Sequence, residues 1–239
     1  MTDKFQNLLK SEQFAKTTAV LPIILGTDIS GMPVIKDLHT FPHMLICGGT
    51  GTGKTVLLKN IYESLSYKLT PEQCKFIIID PKAYDFNEYS HNHNLLMPVI
   101  TEPKYAFNVF KDIVELINNR YEILQYNQKN TDMPYIVIII DEMVDFTALN
   151  KDEFENFVQI IVQKARAVGV HLIMATQQLN SDNITDTIDK NMPIKICFKT
   201  TQEKSVLCLG SGGAELLSQN GDMLYSEPGC AIKHIKVIK

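Results

Sequence analysis

The chain contains 239 residues, of which 45% are hydrophobic and 21% are charged, close to the proportions of an ordinary globular protein. Its formal net charge is −4, which argues against a protein that coats nucleic acid over its whole surface, because such proteins are basic. A protein that holds nucleic acid through a few loops stays compatible with this charge. The first twenty residues are polar and the longest apolar run surrounds residues 136–140, so we expect neither a signal peptide nor a membrane span.

In chain order, residues 1–20 mix polar and apolar positions and are expected to form a short helix or a loose arm. Residues 21–35 contain two apolar runs around a turn of Gly, Asp and Ser, which predicts a β-hairpin. Further strands are predicted at residues 43–47, 76–79, 135–140, 171–175, 194–198 and 231–238, and helices at residues 56–66, 105–128 and 154–168. Because the strands are apolar without alternation, we predict one α/β domain over residues 21–239, with a mostly parallel central sheet and helices on both faces.

The first motif with chemical content follows the strand at residues 43–47 and matches GxxxxGK[ST] in full. Glycines let backbone N–H groups curl around phosphates, and the next helix directs its positive end at the same point. We therefore expect ATP to bind here, with Lys54 on its β- and γ-phosphates and the Thr55 hydroxyl on Mg²⁺. The motif consists of Gly48, Gly49, Thr50, Gly51, Thr52, Gly53, Lys54 and Thr55.

Two adjacent acids end the apolar strand at residues 135–140. We expect Asp141 to be the second protein ligand of Mg²⁺ and Glu142 to orient or deprotonate the water that attacks ATP. Asp80 also ends an apolar strand, but it has no acidic neighbour and is followed by Pro81 and Lys82. Its role stays open between an active-site carboxylate and a loop cap.

Two further polar residues have both a functional and a structural interpretation. Gln177 follows the strand at residues 171–175 and is either a sensor of the γ-phosphate or an ordinary loop amide. The chain has two arginines. Arg166, at the end of a predicted helix, is either a cation that complements the helix C-terminus or an arginine finger for a neighbouring subunit's ATP. Arg120 lies inside a predicted helix, where we expect a structural contact.

The five cysteines are irregularly spaced and form no CxxC pair, so the sequence indicates neither a zinc site nor a disulfide framework. Several lie in apolar runs, where we expect buried free thiols. Such thiols indicate a reducing compartment and hence a cytoplasmic protein.

From about Leu25 to its C-terminus, the sequence resembles the motor domain of the FtsK/SpoIIIE family of DNA translocases. The similarity is carried by LGTDISGMPV at residues 25–34, PHMLI at 42–46, FIIIDPK at 76–82, PYIVIIIDE at 134–142, QKARAVGVHL at 163–172, ATQ at 175–177 and GDMLY at 221–225. The resemblance implies a RecA-like fold and a ring, usually hexameric, with ATP sites between subunits. It also implies double-stranded DNA in the central pore and favours Arg166 as the finger.

The sequence departs from the family in three respects. The membrane segments with their linker, and the C-terminal winged-helix module, have no counterpart, so we expect a stand-alone motor or a motor cut from a longer chain. The loop after Gln177 lacks the family's usual Arg-Pro, and residues 180–189 are acidic with no cation before Lys190. If that loop lines the pore, DNA contact rests on a few lysines such as Lys190, Lys199 and Lys204.

Three functions stay open at this point. The first is an ATP-driven translocase of double-stranded DNA. The second is a coupling or secretion ATPase of the same family, which moves protein or a conjugating DNA strand through a membrane channel with a membrane-anchored partner. The third is a nucleotide-gated assembly factor without enzymatic activity, which the presence of both Lys54 and Glu142 disfavours.

Overall fold

A computed structural model describes residues 3–127, 133–180 and 185–238. Within these residues, nine strands form one sheet in the order β2-β1-β9-β8-β7-β3-β6-β5-β4. The strands are β1 (Pro22–Asp28), β2 (Pro33–Asp37), β3 (His43–Cys47), β4 (Cys74–Ile79), β5 (Tyr135–Ile140), β6 (Val170–Thr176), β7 (Ile194–Phe198), β8 (Asp222–Ser226) and β9 (Lys233–Lys236). The helices are α1 (Asp3–Leu9), α2 (Glu12–Ala15), α3 (Lys54–Lys68), α4 (Pro103–Asn127), α5 (Val144–Lys164), α6 (Asp186–Asn191) and α7 (Gln202–Leu209).

One half of the sheet is parallel. β3 pairs with β6 and β7, and β5 pairs with β6 and β4, in each case with parallel register. Apolar clusters cover both faces of these strands, one including Leu57 and Ile61 of α3, the other Phe110 of α4 and Phe157 of α5. Burial on both faces explains why these strands are apolar without alternation, and the predicted α/β fold is confirmed.

The other half of the sheet is antiparallel. The predicted hairpin is present as β1 and β2, and β9 joins β1 to β8, which in turn pairs with β7. β8 was not predicted, because its sequence contains an apolar run of only three residues, 223–225. The antiparallel strands continue the parallel half without a break in hydrogen bonding.

Helices α3 and α4 agree with the predictions to within two residues at each end, α5 differs, and α6 and α7 were not predicted. We predicted a helix at residues 154–168, whereas α5 begins at Val144 and is followed by a 3₁₀ turn at Ala165–Val168. Asn150 has non-helical dihedral angles (φ −156, ψ 90) and divides α5 into two segments. Its side chain accepts the backbone N–H of Glu153 at 3.3 Å, as an N-cap does, so the predicted start corresponds to the second segment.

The N-terminal residues form helices α1 and α2 rather than a loose arm. Phe5, Leu9 and Phe14 are buried against Ile24 of β1, which fixes these helices on the antiparallel half of the sheet. Among the described residues, no helix combines the length and the apolar character needed to cross a bilayer.

Candidate active site

The P-loop, residues 48–55, connects β3 to α3 and has a backbone that requires glycine. Gly48 and Gly53 have φ of +154° and +126°. A Cβ at Gly48 would lie 2.6 Å from the Phe198 Cβ, and a Cβ at Gly53 would lie 2.9 Å from the Phe198 ring. The loop therefore packs its backbone directly against β7, and its shape depends on the absence of side chains at these two positions.

Lys54 is buried inside the P-loop. Its ammonium group donates to the backbone carbonyls of Gly48 at 2.7 Å and Gly49 at 2.8 Å. Burial lowers the pKa of Lys54 to about 8, although the nearby carboxylates of Glu142 and Asp141 act in the opposite direction. At neutral pH the side chain is still mostly protonated, so it places a cation within a loop whose backbone can follow a chain of phosphates.

An open cavity of about 480 Å³ lies in front of the P-loop. Cations, hydroxyls and carboxylates all reach it from different elements, among them Thr50, Lys54, Thr55, Lys82, Asp85, Asp141 and Gln177. A glycine-rich cradle with a lysine suits a triphosphate, and a hydroxyl beside carboxylates suits Mg²⁺, which prefers oxygen ligands. The residues present therefore fit Mg-ATP.

Glu142 is connected to both the P-loop and the end of β6. Its two carboxylate oxygens accept the backbone N–H of Gln177 at 3.3 and 3.1 Å. The Gln177 side-chain carbonyl in turn accepts the Thr50 hydroxyl at 2.6 Å. The structure thus brings Glu142, Gln177 and the P-loop into one hydrogen-bonded chain at the carboxyl ends of neighbouring parallel strands.

Asp141 is a buried carboxylate in an acidic neighbourhood. Burial raises the pKa of Asp141 to about 6; Lys82 opposes this, while Asp80, Asp85 and Glu142 raise it further. A divalent cation would offset both the loss of hydration and the repulsion between the carboxylates, because it places positive charge next to them. The side chain is therefore suited to a metal rather than to a structural salt bridge.

Asp80 does not face the cavity but holds the loop that does. It is fully buried, and its carboxylate accepts the backbone N–H groups of Lys82 at 3.1 Å, Asp85 at 2.9 Å and Phe86 at 3.1 Å. Of the two roles that the sequence left open, the structure shows the loop cap. The same loop contains Ala83 in the left-handed region, with φ of +55°.

Two residues of this loop, Lys82 and Asp85, had no predicted role. The Lys82 ammonium lies 3.9 Å from the Glu142 carboxylate, and the Thr55 hydroxyl lies 3.4 Å from the Asp85 carboxylate. Their position in the sequence could have indicated a place at the site, since both closely follow β4, which is parallel to β5 and ends at the same edge of the sheet. Which of them would reach that edge depends on the fold of the loop.

Arg166 lies far from the P-loop of its own chain. It belongs to the 3₁₀ turn that precedes β6, is exposed, and donates to the backbone carbonyl of Thr40 at 3.4 Å. Because β6 is parallel to β3, this turn lies at the opposite edge of the sheet, about 20 Å away for a strand of seven residues. Arg120 makes the expected structural contact, a 2.9 Å hydrogen bond to the carbonyl of Val168.

All three lysines predicted to contact DNA interact with other groups of the chain. Lys199 donates to the carbonyls of Leu217 at 2.6 Å and Glu215 at 3.3 Å, and Lys204 donates to the carbonyl of Gln177 at 3.3 Å. Lys190 lies on the last turn of α6. Of the acidic segment 180–189, residues 181–184 lie outside the described residues.

The chain is similar in sequence and in fold to known proteins. The model of the FtsK/SpoIIIE family matches residues 4–133 and 123–181. The DNA translocase FtsK of Haemophilus ducreyi is 38% identical over an alignment of 262 positions, gaps included, which covers 94% of this chain and 27% of that protein. The corresponding protein of Haemophilus influenzae is 37% identical, with 50% of its length covered, so the chain spans between about a quarter and a half of these relatives.

Solved structures agree in fold. The cytoplasmic domain of the type VII secretion ATPase EccC of Thermomonospora curvata superposes with a TM-score of 0.81 at 22% identity, over 91% of this chain and 28% of that one. The pCW3 conjugation coupling protein TcpA, in its monomer form with ATPγS, also gives a TM-score of 0.81 at 22% identity, over 95% of this chain and 68% of that one. The chain belongs to the FtsK/SpoIIIE family, and its fold is that of a P-loop ATPase domain.

Proposed function

We propose that this chain is an ATP-driven motor that moves along double-stranded DNA. The observation that carries the proposal is the buried pair Asp141 and Glu142 beside a complete P-loop, in a chain 38% identical to a DNA translocase. Residues 21–239 would form the motor, with helices α1 and α2 as an addition to its sheet. Because its substrates are ATP and DNA, we place it in the cytoplasm, where its cysteines stay reduced.

Each residue of the site has one task in this proposal. The backbone N–H groups of the P-loop and the Lys54 ammonium would hold the phosphates, while Thr55 and Asp141 would hold Mg²⁺. Mg²⁺ would neutralise charge that develops on the phosphate oxygens. Glu142 would accept a proton from the attacking water, and Gln177 would link its position to the P-loop through Thr50.

The position of Arg166 supports a ring. It is exposed at the sheet edge opposite to its own P-loop, so any phosphate it contacts belongs to another subunit. A closed ring, which we propose to be a hexamer, would place each Arg166 against the next subunit's ATP and leave a pore for the duplex. DNA would be held through its phosphates and without sequence preference, as nothing in the chain resembles a base-reading module.

The alternative is a coupling or secretion ATPase that works with a membrane-anchored partner. The likeness to EccC and TcpA supports a shared fold, at 22% identity in both cases. The higher identity to the DNA translocases favours DNA as the cargo. The two functions differ in what stimulates hydrolysis.

The test is the ATPase rate with and without plain linear duplex DNA in low salt. We expect stimulation by duplex of any sequence, falling steeply as salt rises, because phosphate contacts release counterions. The Glu142→Gln variant serves as the hydrolysis-deficient control. An ATPase rate that is unchanged by DNA but rises with a membrane partner or a signal peptide would favour the alternative.

A further inference from the structure

Three buried cysteines meet directly behind the P-loop. Cys47 ends β3 immediately before Gly48, Cys197 lies on β7 and Cys208 lies on α7. Each is at most 1% exposed, and the three sulfur atoms all lie within 4.8 Å of one another. The sulfurs of Cys47 and Cys197 are 3.5 Å apart.

The spacing of the sulfurs suits a shared ion better than a disulfide. Cys47 and Cys197 are direct partners in parallel register, so their strands stand about 4.8 Å apart, whereas disulfide-bonded Cβ atoms lie about 3.8 Å apart. A metal–sulfur bond is about 2.3 Å, which puts two sulfurs on one three-coordinate ion about 4 Å apart if the ion is planar and about 3.4 Å apart if it is pyramidal. An ion could therefore join the three sulfurs without moving the strands.

The apolar residues around the three sulfurs favour an ion whose charge the thiolates neutralise. The cluster also contains Leu179, Ala214 and Leu217, and no His, Cys, Asp or Glu elsewhere in the described residues joins the group as a fourth ligand. Three thiolates around Cu⁺ or Zn²⁺ would leave a net negative charge in this apolar environment, which is costly, and Zn²⁺ also prefers four ligands. A trivalent ion with three sulfurs is neutral.

We propose that Cys47, Cys197 and Cys208 form a binding site for a soft trivalent metalloid, with arsenic(III) as its representative. Arsenous acid would condense with the three thiols: three As–O bonds break, three As–S bonds form, and each hydroxide leaves as water with one thiol proton. No atom changes its oxidation state.

The protonation state of the thiols is compatible with this reaction. Contacts with the sulfurs of Cys197 and Cys47, together with complete burial, hold the pKa of Cys208 well above its usual value. The condensation takes up thiols, so this shift does not prevent it. Contacts with the sulfurs of Cys197 and Cys208 lower the pKa of Cys47 to about 4, so its thiolate would be joined by one proton from solvent, with which the third hydroxide leaves as water. Because all three sulfurs are buried, binding requires local opening around α7 and should be slow.

The experiment incubates the reduced full chain with sodium arsenite and measures bound arsenic by native mass spectrometry and by X-ray absorption. We expect one arsenic per chain with three As–S bonds. Cys208→Ala should weaken binding by more than about 10-fold, since losing even a group that only hydrogen-bonds to a metal ligand costs that much. Cys74→Ala and Cys230→Ala should bind as the unchanged chain does, because Cys74 is buried elsewhere and Cys230 is exposed.

Simple apolar packing of three cysteines predicts a different result. The proposal fails if the unchanged chain binds no arsenic, if the bound arsenic has fewer than three sulfur neighbours, or if Cys230→Ala abolishes binding. It also fails if Zn²⁺ binds the same three sulfurs more tightly than arsenic does. The bond count on the unchanged chain decides the question even if Cys208→Ala does not fold.

Discussion

Glu142 has two roles in the structure that a conservative substitution can separate. Its carboxylate accepts the Gln177 N–H, which a glutamine side chain could still do through its carbonyl oxygen, but only the carboxylate can take a proton from water. Glu142→Gln should therefore bind ATP normally and hydrolyse it about 10²-fold more slowly or worse. Nucleotide binding and single-turnover hydrolysis measure the two effects, with exposed Glu122→Gln as the control. Normal turnover by Glu142→Gln would show that the base is misassigned.

Asp141 should lower the stability of the chain in the absence of Mg²⁺. The pKa of Asp141 in the folded chain, about 6, lies above the ordinary value of 3.8. Below pH 4 the side chain is protonated and does not lower the free energy of unfolding, and this stability is lost as the pH rises through 6 and the buried carboxylate ionises. Asp141→Asn should then raise the free energy of unfolding at pH 7 by about 1–3 kcal/mol and abolish Mg²⁺-dependent turnover. Urea unfolding at pH 7 and pH 5 without metal measures this; the gain should shrink at pH 5. A destabilised Asp141→Asn would argue that the carboxylate is structural.

Site residues that are adjacent in the sequence could be predicted, and those brought together only by the fold could not. The P-loop and the pair Asp141 and Glu142 are adjacent residues with a fixed spacing, so the sequence alone indicates them. Lys82 reaches the same cavity through a loop whose fold depends on a buried cap. The three cysteines come from two strands and one helix, so no spacing rule could have found them.

The loop after β4 is the element that most directly tests how the site is built. Asp80→Ala would leave three backbone N–H groups without their acceptor, so we expect a loss of about 2 kcal/mol or more in the free energy of unfolding. ATPase activity should fall as well, because the loop carries Lys82 and Asp85 into the cavity.

Lys82→Ala separates activity from stability in the same loop. Its side chain is partly exposed and lies 3.9 Å from the Glu142 carboxylate, so we expect reduced ATP turnover with little change in stability. Exposed Lys104→Ala on α4 is the matched control for the loss of a lysine charge. If Lys82→Ala hydrolyses ATP at the normal rate, this lysine only borders the cavity.

The elements show where sequence periodicity is informative. β3 and β5 have the predicted bounds, because strands buried between parallel neighbours are nearly continuous apolar runs. The first segment of α5 was missed because the break at Asn150 interrupts its helical pattern. α7 was missed because it is short, and only tertiary contacts give it a buried face.

The position of Arg166 allows its role between subunits to be tested with mixtures of variant chains. If it acts on a neighbour's ATP, Arg166→Ala subunits should bind ATP but lose hydrolysis by about 10³-fold. Mixing them with Lys54→Ala subunits should restore some activity, because an intact ATP site can then face an intact arginine. Lys164→Ala, which removes a nearby cation that contacts Asn118, should stay active. A mixture that assembles but stays inactive, or a fully active Arg166→Ala, would leave Arg166 with a role only at the end of its helix.

Movement along DNA can be measured as the displacement of an obstacle bound to the duplex. A third-strand oligonucleotide paired to one end of a linear duplex reports the arrival of a moving motor when it is released. The unchanged chain should release it only with hydrolysable ATP and Mg²⁺, whereas Glu142→Gln, which keeps ATP binding, should not. Duplex-stimulated ATP hydrolysis without release of the third strand, or release that needs no ATP, would contradict translocation.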